Sequence, residues 1–370
     1  MLRTVEGVPK RPGYAAKRIR NPQSAIRNWI SVVVVILAWA GVSQGADAAF
    51  VHDIRPGPGV TAVKKLSDYF PGLAQTPGDT PVYILEGKEK GGTVFVAGGT
   101  HANEIAGIMA ATVLVEHARV QQGKLIVVPH ANNSAITYND PRMPGPAWIT
   151  IQTAGGERRF KYGSRLTKPE HQGEPDPEKY RHPRSTEDLD GSEARNLDRA
   201  YPGRPDGNLT ERIAYGILQV LKSEAVDVAF DLHESGPESR LAWMVVANPK
   251  NVDIAALAIV NLDAAGIPMK LEPSSETFRG LSHREWGDAT KAQTFLFETP
   301  NPGMVKDPGS VDPVNDAKLP LAKRVGVQLS TLLAILDAHN EEGPAAVAVK
   351  LLDVPGLPEI ARSGIGAFLK

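Results

Sequence analysis

The 370-residue chain has no cysteine, which excludes disulfides, thiolate metal ligands and a thiol nucleophile together. Any metal must be held by histidine, aspartate and glutamate. The formal net charge is −1 and no long basic run lies beyond the N-terminus, so electrostatics give nucleic acid no footing as a partner. Also missing are a phosphate loop, a dinucleotide fingerprint and a G-x-S-x-G nucleophile elbow, which disfavours kinase, dehydrogenase and serine-hydrolase chemistry. The longest apolar run, "WISVVVVILAWAGV" at 29–42, has 14 residues, short of the roughly 20 that span a bilayer as a helix.

That run follows Arg3, Lys10, Arg11, Lys17, Arg18, Arg20 and Arg27 and precedes Ala46-Asp47-Ala48, an A-x-A cleavage pattern. The arrangement reads as a secretory signal over residues 1–49, with an uncleaved membrane anchor as the alternative. Either places the body outside the cytoplasm, periplasmic or secreted, and only the anchor would involve a membrane. Removing residues 1–49 leaves a mildly acidic body with a net charge of −6. A body of about 320 residues, in a chain that is 42% apolar, has enough core to stand without disulfides.

Short β-rich runs at 82–85, 93–97, 125–129, 226–232, 242–247 and 294–298 alternate with helical patterns at 103–120, 208–224, 251–266 and 317–339. This alternation predicts an α/β body. Near-continuous apolar strands imply a sheet covered on both faces. Asn208 and Glu211 form a capping-box pattern that starts the second helix. One domain over 50–340 is expected, followed by a Pro/Gly-punctuated tail at 341–370. Residues 139–195 are rich in Pro, Gly and charge, with no sustained period, and read as a long insertion forming a wall of the active-site cleft.

"VFVAGGTHANEIAG" (94–107) runs a buried strand through Gly98 and Gly99 into His101 and Glu104, spaced three apart. The same H-x-x-E spacing recurs at His171 and Glu174 in a polar stretch with no preceding strand, where both residues read as solvated. The first copy lies where open α/β sheets gather ligands. Alone it is also compatible with a helix-terminal glutamate and a turn histidine. "VDVAFDLHES" ends a second strand on Asp231 and His233 and completes a His, Glu, His set. Two imidazoles, one carboxylate and an open position form the hydrolytic zinc pattern. Asp231 is placed to orient a ligand imidazole or to cap a turn. Glu298, ending the strand "TFLFE", is either the general base or an exposed strand-end acid. His117 reads as a helix residue, His130 as satisfied by the neighbouring turn, and His182 and His339 as exposed; 278–293 reads as a mobile flap, with His283 in it a surface residue or a substrate contact.

"GGTHANEIAG", "NLDRAYPG" (196–203), "DLHES" and "FETPNPG" together resemble the succinylglutamate desuccinylase and aspartoacylase branch of the zinc carboxypeptidase-like superfamily, over roughly residues 80–340. The resemblance implies a three-layer α/β/α fold with a mixed, largely parallel sheet. It also implies one Zn2+ on His101, Glu104 and His233, Glu298 as base, and Asn196, Asp198 and Arg199 at the substrate. Arg199 would hold a carboxylate or polarise the scissile carbonyl. The family pattern reads N-L-N-R, so Asp198 is a departure: facing the site it would repel an anion or pair with Arg199. A second arginine expected upstream is Arg142, Arg184 or Arg195. The β-rich domain that many relatives carry after the base is not evident, which predicts a more open cleft.

The expected activity is that of an exported zinc amide hydrolase acting on N-acyl amino acids or similar small molecules. Alternatives are a metallocarboxypeptidase acting on peptides, cell-wall peptides included, and a non-catalytic periplasmic binding protein on the same fold.

Overall fold

A computed structural model describes residues 53–143, 145–305 and 311–370. The signal or anchor expected over 1–49 lies outside the described residues. The elements run β1 (Ala62–Lys65), β2 (Pro81–Glu86), β3 (Glu89–Gly98), α1 (Ile105–His117), β4 (Arg119–Val128), α2 (Asn133–Ile136), β5 (Trp148–Thr153), β6 (Gly156–Lys161), α3 (Pro169–Gln172), β7 (Lys179–Tyr180) and β8 (Leu189–Asp190). Then come α4 (Leu209–Ser223), β9 (Val228–Ser235), β10 (Met244–Ala247), α5 (Val252–Ala264), β11 (Lys270–Pro273), α6 (Ser282–Ala289), β12 (Gln293–Pro300), α7 (Leu321–Glu342), β13 (Lys350–Leu352) and α8 (Leu357–Ser363).

The main sheet has the order β1-β2-β4-β3-β9-β12-β10-β11, with β13 also paired to β4. Its centre, β4-β3-β9-β12, is parallel, and β2, β10 and β13 join it antiparallel. Strand periodicity of two divides the apolar side chains between two cores. Val94, Val96, Leu125, Val127, Phe230 and Leu232 face one core, where α1, α5 and α7 pack. Phe95, Ala97, Ile126, Val128 and Ala229 face the other with α4 and Trp286 of α6. The result is the expected α/β/α sandwich with a mixed, largely parallel sheet.

α1 has almost no polar face, because the sheet covers one side and α7 the other. Gly107 permits its close approach: a Cβ there would lie 2.2 Å from the carbonyl oxygen of Leu232. The capping box of α4 forms as the sequence predicts, with Glu211 N donating to Asn208 Oδ1 at 3.0 Å and Asn208 N to Glu211 Oε2 at 3.1 Å.

Three segments differ from expectation. Residues 139–195 hold two hairpins, β5–β6 and β7–β8. The flap expected at 278–293 contains α6, whose Trp286 is fully buried and edge-on to Phe95 and Tyr201. The segment read as a tail returns to the body: β13 extends the sheet and Lys370 N donates to the buried Glu116 carboxylate. The described residues fall within one compact unit.

Candidate active site

Three strand ends build the site. β3 stops at Gly98, and Gly99 takes a positive φ of 68°, turning the chain at no steric cost. The next residues form a tight turn in which Glu104 N donates to His101 O at 3.1 Å. The histidine and the glutamate therefore share a face before α1 begins. In β9, Asp231 and His233 project from the opposite face to Phe230 and Leu232. Glu298 of β12 is the register partner of His233, so carboxylate and imidazole stand side by side on neighbouring strands, about 4.8 Å apart in backbone spacing.

Glu104 lies between two imidazoles. His101 Nδ1 is 2.7 Å from its Oε1, and His233 Nδ1 is 2.9 Å from its Oε2. One donor atom from each of His101, Glu104 and His233 lies within 4.8 Å of the others, and all three residues are buried. The hydrogen-bond partners assign the His101 tautomer. Asn196 Oδ1 accepts from Asp198 N at 3.0 Å while its Nδ2 donates to Glu193 Oε2 at 2.6 Å, which fixes the amide. His101 Nε2, 2.8 Å from Asn196 Oδ1, must then be the donor. In its neutral form His101 turns an Nδ1 lone pair toward a carboxylate oxygen; protonated, it donates to that oxygen. Asp231 Oδ2 faces His233 Nε2 at 2.9 Å, and its Oδ1 accepts from Thr100 Oγ1 at 2.8 Å. Lone pairs this close repel unless a proton or a cation sits among them. Two imidazoles and one carboxylate beside a cavity fit a divalent transition metal such as zinc.

A second set, Asp198, Asp231 and His233, is as close. Its carboxylates are engaged in protein contacts: Asp198 Oδ1 accepts from Ser282 N at 2.8 Å and Asp231 Oδ1 from Thr100.

Burial opposes ionisation of Glu104, yet His101 and His233 hold it well below the usual carboxylate range. Burial and the nearby Arg165 push His101 down. Burial also acts against the His233 imidazolium, but Asp231 and Glu104 overcome it and raise His233 well above the ordinary imidazole value. Glu298 is pushed up to about 8, by burial first and by Glu104 second. Part of Glu298 faces open space, while its Oε2 is sealed from solvent and has no hydrogen-bond partner. Glu234 steadies Glu104: its N donates to Glu104 Oε2 at 2.9 Å, and its carboxylate receives Ala106 N, Asn301 Nδ2 and the buried Arg324.

These groups surround a cavity of about 220 Å3 that Arg165, Asp198, Arg199 and His283 also line. Asn196, expected at the substrate, is fully buried with its polar atoms used by His101, Asp198 and Glu193. Asp198 chiefly satisfies the first N–H of α6, and its Oδ2 is 3.8 Å from Arg199. The three candidates for an upstream arginine are engaged elsewhere: Arg142 with Asp140, Arg184 with Glu285, Arg195 with Asp176 and Thr167 O. The arginine at the site is Arg165, 3.2 Å from His101 Nδ1 and 3.7 Å from Glu104 Oε1. It sits in the 139–195 segment, whose placement at the cleft is as expected, but no spacing in "YGSRL" marks it out.

Other histidines depart from their sequence reading. His283 is buried, bonded through Nε2 to Ser274 Oγ at 2.9 Å, and lines the cavity. His182 and His339 are buried, the former on Tyr201 O and the latter between Gln293 Oε1 and Val347 O. His171 bonds Ser134 Oγ at 2.9 Å, so the second H-x-x-E is anchored at its histidine.

The sequence model of the succinylglutamate desuccinylase/aspartoacylase catalytic domain matches residues 90–298, more than half of the chain and the whole set from His101 to Glu298. The chain belongs to the succinylglutamate desuccinylase/aspartoacylase family. Within the family it is similar to the N-alpha-acetyl-L-2,4-diaminobutyric acid deacetylase of Halomonas elongata, with 30% identity over 158 residues, which is 42% of this chain and 32% of that protein. Among solved structures it is similar to a succinylglutamate desuccinylase from a Silicibacter species, at 18% identity and a TM-score of 0.43, covering 70% of this chain and 60% of that one. It is also similar to a metallo-carboxypeptidase from Burkholderia cenocepacia, at 12% identity and a TM-score of 0.48, covering 77% and 66%. The chain thus spans about a third of the curated relative and about 60% of the solved desuccinylase.

Proposed function

We propose that the chain is an exported zinc-dependent amide hydrolase that deacylates N-acyl amino acids. The observation that carries this reading is Glu298, a carboxylate with a sealed, unpartnered oxygen beside three convergent metal donors. An unpartnered carboxylate in that position is free to take and return a proton, as amide hydrolysis requires of its base. Zinc at His101, Glu104 and His233 would supply a Lewis acid for the scissile carbonyl and a water with a pKa near 7. Glu298 takes the proton of the attacking water at its carboxylate and returns it to the departing amine. Arg165, beside His101 and Glu104, faces the negative charge that develops on the carbonyl oxygen. Arg199, half-buried at the cavity, offers a planar fork to the substrate carboxylate. Family membership supports amide hydrolysis, and a protein that only binds has no use for a base beside the metal donors.

Glu298→Gln is expected to keep one metal per chain by elemental analysis and to lose at least about a hundredfold in kcat on N-acetyl amino acids. Undiminished turnover would overturn the mechanism. Export rests on the pattern of residues 29–48, and the first residue of the mature protein, expected just after Ala48 or Ala49, tests it.

A further inference from the structure

We propose that the amine half of the substrate is a neutral, apolar α-amino acid whose side chain rests on a wall made by Leu241, Val246, Phe278, Leu281, Leu296 and Met304. The inference rests on the hydrolase reading of the same site and narrows its substrate.

Strand geometry carries the first part of the argument. The face on which β9 presents His233 continues across β12 as Leu296 and Glu298, and across β10 as Met244 and Val246, paired with Glu298 and Leu296 respectively. One step from the base, the reactive face turns from ionisable to aliphatic. Met244, Val246 and Leu296, with Leu241, form an apolar cluster separate from the two main cores. Leu241, Val246 and Leu296 line the same cavity as the metal donors, and Phe278, Leu281 and Met304 complete that side of it.

The second part is where the cation lies. Gly280, between the Phe278 and Leu281 sides of the wall, packs so tightly on Arg199 that a Cβ there would be 2.3 Å from Arg199 O. Tyr201 N also donates to Gly280 O at 3.1 Å. The arginine and the wall are thus borne on adjoining backbone. A carboxylate site next to an apolar surface matches the two substituents that an apolar α-amino acid carries on one carbon.

The third part weighs against charged side chains. Beside the wall stand His283, 1% exposed, with Nε2 on Ser274 and Nδ1 unpartnered, and Ser235, whose buried Oγ has no partner. Burial pushes His283 down to about 4, so it is uncharged at neutral pH and cannot neutralise an acidic side chain. An ammonium or carboxylate laid on these six apolar side chains would lose hydration that none of the six restores.

Calorimetric titration of zinc-loaded Glu298→Gln protein with N-acetyl-leucine, N-acetyl-phenylalanine, N-acetyl-aspartate and N-acetyl-2,4-diaminobutyrate reads the preference without turnover. The leucine and phenylalanine derivatives are expected to bind at least about tenfold more tightly. Adding Leu296→Ala, or Val246→Ala where the first variant fails to fold, is expected to narrow the preference for N-acetyl-leucine over N-acetyl-alanine about tenfold. Equal or tighter binding of the charged derivatives, or binding of none, overturns the proposal. Turnover by the unmutated protein separates the two ideas. Apolar-selective binding without turnover refutes the hydrolase and keeps the pocket, whereas turnover that favours charged substrates keeps the hydrolase and overturns the pocket.

Discussion

At Asn196 a single amide decides which nitrogen of His101 faces the metal donors. Its oxygen is committed by the Asp198 backbone N–H, and its NH2 by Glu193, so the imidazole has an acceptor on its Nε2 side and no choice of tautomer. Groups that orient a ligand imidazole commonly change metal affinity by about 10–100-fold when removed. Asn196→Ala is therefore expected to weaken zinc binding by about that factor in a chelator competition, with circular dichroism unchanged. Unaltered affinity would return Asn196 to a purely structural role. The residue was visible in the sequence as part of "NLDR", but its duty was not, because its partner lies 95 positions away. Arg165 was invisible as a site residue for the same reason: it stands at no strand end and reaches the cavity only because a remote segment delivers it. His283 reads from sequence as a loop histidine or a substrate contact, and the structure places it, buried, in the cavity lining. Asp198, by contrast, was visible as a departure, and its partner explains it: an aspartate satisfies the first N–H of α6 as a carboxylate at a helix N-terminus should.

Elements legible in the sequence are those whose environment repeats along the chain. β3, β9 and β12 lie between two apolar layers, so their composition alone announced them, and their C-terminal ends announced His101, His233 and Glu298. The turn joining His101 to Glu104 differs in kind from the helical turn that their spacing evokes: Glu104 precedes α1, and the backbone bond to His101 O closes a turn. Segment 278–293 was misread because Gly280, Gly287 and Trp286 look mobile when nothing is known to cover them. Tyr201 and Phe95 cover the indole, and what reads as a flap is a buried helix. In the 139–195 segment the alternation is confined to the short hairpin β5–β6, whose Ile149, Ile151 and Phe160 join the core. Ion pairs hold the segment as well: Arg158 reaches Asp53 and Glu116 outside the segment, and Arg195 reaches Asp176 within it.

Across the whole molecule, charge networks tie the layers at points that the cores do not reach. Glu224, just past α4, accepts from Tyr69 Oη at 2.6 Å, Lys124 Nζ of β4 at 3.0 Å and Lys64 Nζ of β1 at 3.2 Å. Burial of this carboxyl disfavours its charge, but the three donors prevail and bring it down to about 2. A carboxylate lowered on folding stabilises the native state above its unfolded value of about 4.3, and that contribution disappears as pH falls toward 2. Glu224→Gln is thus expected to cost about 1 kcal/mol at pH 7, a figure reduced for solvent screening. Denaturant titrations should show that the gap from the unmutated protein closes as pH drops from 4.5 to 2. A gap that stays constant with pH would assign the loss to packing.

The sequence by itself determined the sheet, the two-sided core and the strand ends that carry His101, His233 and Glu298. Those depend on local periodicity and on the chemistry of residues at element ends, both of which are written contiguously. Only the tertiary structure decided which upstream arginine enters the cavity, that Asn196 serves His101, and that aliphatic side chains adjoin Glu298. Each of these is a meeting of side chains from segments far apart in the chain, where close packing between elements fixes the distance and no spacing along one element records it.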